Sequence, residues 1–133
     1  MIEMAKPLTQ RCDKIFVYCD LKHRGKLNHI LVSSGCRLVK KANIERFAMY
    51  NILNSYPIIT PSGKTSDSIV GEIWALGHPK ILDSLDNIKS PMTRYVFEVG
   101  KDKTQCWVYY MPDSAFNDSA SGVMKNKDGK WKV

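Results

Sequence analysis

IFVYCDLKHRGKLNH, residues 15–29, begins as a strand and stops abruptly on a turn that carries a cysteine and an aspartate. From Lys14 to Tyr18 (KIFVY) the run after the lysine is continuously apolar, the pattern of a strand covered on both faces. Leu27 to Ser34 follows as an expected short helix, which Gly35 is placed to terminate. Short strands between turn residues, with two helical segments among them, are expected along the whole chain, and an α+β domain is predicted.

The rest of the chain repeats this style. Arg37 to Tyr50 (RLVKKANIERFAMY) spaces β-branched and aromatic residues roughly alternately, predicting one long or kinked strand, with a loop at NILNSYP. Ser68 to Leu76 (SIVGEIWAL) alternates as a strand with Glu72 inside it. After Pro79, the apolar positions Ile81, Leu82, Leu85 and Ile88 fall at helical spacing and predict a second helix. Arg94 to Val99 and Thr104 to Met111 flank the short polar connection GKDK and read as adjacent antiparallel strands.

The chain has 133 residues and 44% hydrophobic content, enough for one domain with a core that needs no staples. We expect a single domain over residues 1–133, its core about 14–111 and its tail 112–133. Within that polar, mobile tail Trp131 is expected to anchor back onto the core. Twenty Lys+Arg against 13 Asp+Glu give a formal charge of +7, which favours an acidic partner. Seven of the cations lie between Lys22 and Arg46 with Glu45 as the sole acid there. Basic residues interleaved with exposed aromatics are not evident, so nucleic acid ranks below a small molecule as ligand.

Cys12, Cys19, Cys36 and Cys106 form no CxxC pair or Cys/His cluster, so reduced thiols and no metal are expected. The first residues lack a signal-peptide core, and no run of about 18 apolar residues occurs. A cytoplasmic protein with no membrane partner is the expectation.

The order IFVYCDLKHRGKLNH, FAMYNILNSYPIITP, IVGEIWAL, LDSLDN, WVYYM and DGKW resembles the γ-glutamylcyclotransferase-like family, which includes plant avirulence-induced-gene-like proteins and γ-glutamylamine cyclotransferases. The resemblance covers roughly Lys14 to Met111, with a fainter match in the tail. It implies a small mixed β-barrel flanked by short helices, with a cavity at the end of the first strand. It also implies a cofactor-free reaction: the α-amine of a γ-glutamyl amine attacks its own γ-carbonyl, releasing free amine and pyroglutamate.

In that family the first strand ends in Tyr-Gly-Ser/Thr-Leu, whose backbone N–H groups hold the substrate carboxylate, an anion nest that glycine leaves open. The matching substrate-binding positions are Tyr18, Cys19, Asp20 and Leu21, with Cys19 in place of glycine and Asp20 in place of the hydroxyl residue. The family's general base is a glutamate in a motif resembling LDxxEG, and the matching catalytic position in LDSLDN is Asp86, one methylene shorter. A downstream tyrosine and arginine correspond to Met92 and Arg94, so only the arginine is kept, as a supporting substrate-binding residue.

Two like charges about 4 Å apart at an effective dielectric near 20 cost on the order of 4 kcal/mol, so Asp20 opposes a substrate carboxylate. A base must reach within about 3 Å of its proton, and Asp86 has the shorter arm. Weak or lost turnover of γ-glutamyl amines is therefore expected. The alternative to an enzyme is a binding protein that uses the altered pocket for another small metabolite, or its basic face for an acidic partner.

Each residue also has a plainer reading. Asp20 can cap the following helix or hold a turn, and Asp86 can be a solvated helix residue. Cys19 is either a thiol activated by Lys22, His23 and Arg24 or an inert core cysteine. Glu72 either lines the cavity or, by default, pairs on the surface. His29 is given no catalytic role.

Overall fold

A computed structural model describes residues 12–112 and 119–132. The N-terminal residues read above for a signal peptide, and part of the polar tail, lie outside the described residues.

The first strand, β1 (Lys14–Val17), is the middle of a five-stranded sheet. Ile15, Phe16, Val17 and Tyr18 are all at most 2% exposed, which is why the run is apolar without alternation. The other strands of this sheet are β2 (Arg37–Glu45), β5 (Ser68–Ala75), β6 (Thr93–Val99) and β7 (Thr104–Tyr110), in the order β2-β5-β1-β7-β6. β1 runs antiparallel to β5 and parallel to β7, so the sheet is mixed. β6 and β7 form the expected antiparallel pair across Gly100–Lys103. Gly71 lets β5 lie against β1: a Cβ there would sit 2.5 Å from the Val17 carbonyl oxygen and 2.6 Å from the Phe16 ring.

A second sheet has three strands in the order β4-β3-β8: β3 (Phe47–Ile52), β4 (Tyr56–Pro61) and β8 (Val123–Asn126). Here the structure departs from the sequence expectations. The 37–50 run is kinked at Arg46, which takes the left-handed conformation (φ 69°), and the chain passes from one sheet to the other there. The stretch expected as a loop is instead the end of β3, a three-residue turn over Leu53–Ser55 in which Leu53 and Asn54 have φ of 52° and 57°, and the start of β4. The tail is not merely mobile: Val123–Asn126 pairs with β3.

The barrel is not closed. β2 and β6 are the edges of an open, strongly twisted sheet, but they approach each other where the Gly100 N–H donates to the Asn43 carbonyl at 3.0 Å and Lys40 pairs with Asp102. The two sheets join at the other end, where Met111 N–H donates to Ile59 O at 2.8 Å.

Among the described residues two helices complete the fold. α1 (Asn28–Ser33) ends at Gly35 (φ 80°), close to expectation. α2 (Ile81–Lys89) buries Ile81, Leu82 and Leu85, but its inward face finishes on Lys89, and Ile88 is 43% exposed. The helix thus turns a lysine inward where the apolar pattern pointed to the isoleucine. No helix among the described residues is long and apolar enough to cross a membrane.

Candidate functional site

β1 delivers Tyr18 to Leu21 to one end of the sheet. Tyr18 is buried and its hydroxyl donates to the Tyr109 carbonyl at 2.7 Å, so it braces the end of β1 against β7. Burial lifts the Tyr18 phenol well above its ordinary range. The turn closes through Lys22 N–H to Cys19 O (3.0 Å) and Leu27 N–H to Asp20 O (3.0 Å). Gly25 is packed against it so closely that a Cβ would come within 2.0 Å of the Asp20 carbonyl oxygen. Leu21 is fully buried, and its carbonyl accepts from the Asn28 side chain, joining the turn to α1.

Glu72, read by default as a surface partner, is only 7% exposed. Its Oε1 accepts from the His23 N–H (2.8 Å) and the Trp74 indole (3.0 Å), so it fastens the turn from inside the sheet. Nor does Asp20 cap a helix: α1 has no side-chain cap, and Asp20 Oδ1 accepts from Trp131 Nε1 at 3.0 Å. The expected Trp131 anchor is therefore real. It is doubled by Lys22, whose Nζ donates to the Trp131 carbonyl at 2.5 Å. Burial draws the Lys22 ammonium below its ordinary value, against the opposing pull of Glu72.

Beside the turn lies a cavity of about 410 Å³, within the range of small-molecule sites. Cys19 and Asp20 line it from the turn, Leu27 from the residue before α1, Ile52 and Ile58 from the second sheet, and Lys89, Met92 and Met111 complete it. The charges on this lining are Asp20 and Lys89. Lys89 Nζ donates to Cys19 Sγ, a cation beside Cys19 additional to Lys22, which also interacts with it electrostatically.

Asp86 and Arg94 are brought together, but apart from this cavity lining. Arg94 Nε donates to Asp86 Oδ1 at 2.8 Å and Nη2 to Oδ2 at 3.2 Å, and the Tyr109 hydroxyl donates to Oδ1 at 2.6 Å. Arg94 lies 4.4 Å over the Trp107 ring. Partial burial pushes the Asp86 carboxyl up, but the bonds from Arg94 and Tyr109 and the guanidinium charge together bring it below its ordinary value. The Tyr109 phenol moves up, through burial and then its bond to Asp86. The six sequence-predicted residues therefore form two groups, the turn and the Asp86–Arg94 pair, and Tyr109 connects them by accepting from Tyr18 at its carbonyl and donating to Asp86 at its hydroxyl.

His29 is exposed, its ring bonded to the Lys26 carbonyl. Among the described residues no group of three or more His, Cys, Asp or Glu could hold a metal ion. Lys89 and Tyr109 were missed by sequence reasoning, and Glu72 was singled out but not as the acceptor that fastens the turn. Lys89 was legible only as the residue one turn beyond Leu85 on the inward face of α2.

A two-sheet α+β scaffold with a cavity where its central strand ends defines a class of small pocket proteins. The chain belongs to the gamma-glutamyl cyclotransferase, AIG2-like family, whose model matches residues 15–133. The match thus takes in the tail as well as the stretch on which the resemblance rested. No curated protein matches the sequence.

Solved structures share the fold at low identity. An AIG2-like protein from Mus musculus is 23% identical with a TM-score of 0.62, over 86% of each chain. The ytfP protein of Escherichia coli is 20% identical with a TM-score of 0.63, over 89% of this chain and 95% of that one. Kluyveromyces lactis allophanate hydrolase is 10% identical with a TM-score of 0.72, over 89% of this chain and 20% of that much longer one.

Proposed function

We propose that this chain is a small-molecule-binding member of the γ-glutamylcyclotransferase family in which cyclisation of γ-glutamyl amines is weak or lost. The observation that carries this reading is the position of Asp86. It matches the family's base by motif, yet it is bound by Arg94 and Tyr109 and is absent from the lining of the cavity beside the Tyr18–Leu21 turn. A base works by reaching its proton and by having an affinity for it near the working pH. A carboxylate gripped by a guanidinium is worse at both.

Asp20 adds to this from the other side. It is on the cavity wall, where a like-charged substrate carboxylate about 4 Å away costs on the order of 4 kcal/mol. The apolar walls around the turn suit a ligand with an apolar body.

The acidic-partner reading has one observation in its favour. A surface groove of about 880 Å³ is lined by Lys40, Lys41, Arg46, Lys101 and Lys103, but Glu45, Glu98 and Asp102 interrupt the cationic surface.

An amine-release assay over a panel of γ-glutamyl amines and amides tests the main reading. Silence from the wild type, with activity appearing in Asp20→Ser combined with Asp86→Glu, is the expected result. Robust pyroglutamate formation that disappears in Asp86→Ala would overturn it.

A further inference from the structure

The cavity contains a pair of groups for which cyclotransferase chemistry has no use. Cys19 and Lys89 both line it, from the turn after β1 and from the end of α2, with Nζ donating to Sγ. Cys19 is 3% and Lys89 9% exposed. An ammonium has three donors. Sulfur takes one, and among the described residues Lys89 has no second acceptor, so two N–H groups remain for whatever occupies the cavity. A buried charge so thinly partnered is costly to keep.

We propose that Cys19 is a nucleophile that adds to a small, uncharged α,β-unsaturated carbonyl compound seated in this cavity, with Lys89 as its hydrogen-bond and proton partner. The step balances without an oxidant or reductant. The bond from Sγ to the β-carbon forms as the C=C π pair moves through the α-carbon to the carbonyl oxygen. The resulting enolate takes a hydrogen bond from the Lys89 ammonium. The proton lost from sulfur is returned at the α-carbon, so the sum is addition of S–H across the double bond.

The compound class follows from the lining. Sulfur is a soft nucleophile, and an ammonium touching it is the setting in which cysteines react. Leu27, Ile52, Ile58 and Met111 favour an apolar body, while Asp20 disfavours an anionic one. The other thiols are placed differently. Cys106 is fully buried and pushed up to about 12 by burial, Cys36 is buried, and Cys12 bonds the Lys14 and Gln105 carbonyls; none lines the cavity.

This inference rests on the reading of the cavity as a small-molecule site, and the experiment separates the two. N-ethylmaleimide and cyclohex-2-enone are added to the full chain, and adducts are followed by intact mass and peptide mapping. A single fast adduct at Cys19 is expected, its rate saturating with enone concentration, absent in Cys19→Ser and about tenfold slower or more in Lys89→Met. The thermal midpoint of Lys89→Met should lie at or above that of the wild type, because the substitution removes a buried charge. Independently of any variant, the saturated analogue cyclohexanone should protect Cys19 from the maleimide.

Labelling of Cys12 alone, a Lys89→Met variant that reacts at the wild-type rate, or no protection by cyclohexanone would overturn the proposal. Reversible binding of cyclohexanone, seen by NMR at the cavity residues, with no enone adduct overturns it and leaves the pocket reading standing. Neither binding nor adduct removes both.

Discussion

Asp86 accepts three hydrogen bonds although its side chain is 42% exposed, so its worth is set by geometry and limited by water. A bidentate guanidinium is the strong form of an ion pair, while solvent screening keeps partly exposed pairs to about 1 kcal/mol or less. Asp86→Asn should therefore cost about 1 kcal/mol at neutral pH by urea unfolding. The sign with pH follows from the lowered carboxyl. Its stabilisation is fully present above the unfolded value near 3.9, and is lost as pH falls through the lower folded value. The gap between wild type and variant should shrink below about pH 4; a gap that stays constant down to pH 2 would mean that Arg94 is not the cause. At this scale the motif order named Asp86, Arg94 and the turn, because their neighbours in sequence mark them. Tyr109 and Glu72 reach the site from distant strands, and only the register of β5 and β7 on β1 reveals that.

Elements were legible where the hydrophobic period was unbroken, as in β1, β5 and the β6–β7 pair. The second sheet was not, and the reasons are local. Its entrance at Arg46 has no glycine to announce a left-handed residue, so one alternating run reads straight through two strands. Its hairpin turn uses Leu53 and Asn54 where Asn-Gly is the recognisable pair, and Pro57 and Pro61 disguise β4. Leu53 is 69% exposed in a conformation that leucine dislikes. Leu53→Asn should therefore stabilise the protein by roughly 0.5–1 kcal/mol, measured as a raised urea midpoint with unchanged slope. A lower midpoint would show that the leucine's contact with Gly122 matters more than its backbone. In α2 the period was legible but its last step was not: Ile88 and Lys89 are adjacent, and packing against the turn selects the lysine.

For the whole molecule, the tail makes the difference between an open turn and a fixed one. β8 lies on β3, Gly129 O accepts from Val70 N–H at 2.8 Å, and Trp131 then bonds both Asp20 and Lys22. Trp131→Ala removes a half-buried ring and the Asp20 partner, and should cost about 2 kcal/mol, below the range for fully buried aromatics. Chemical denaturation measures the loss, and a loss under about 0.5 kcal/mol would show the anchor to be ornamental. The fold class and the Trp131 anchor could be read from the sequence, whereas the tail's strand could not, because a four-residue strand between polar stretches has too short a pattern to recognise.

The span from Asp20 to Trp131 also has a consequence in time. The two partners are 111 positions apart, so the turn, once synthesised, waits for a residue made 111 positions later. β1 and its turn leave the ribosome long before the tryptophan that fixes them. Until then the pocket's rim is a loose segment beside a half-built sheet, exposing apolar surface of the kind chaperones recognise. A message cut short before codon 131 would therefore yield a chain that can lay down both hairpins yet leave that rim unlatched.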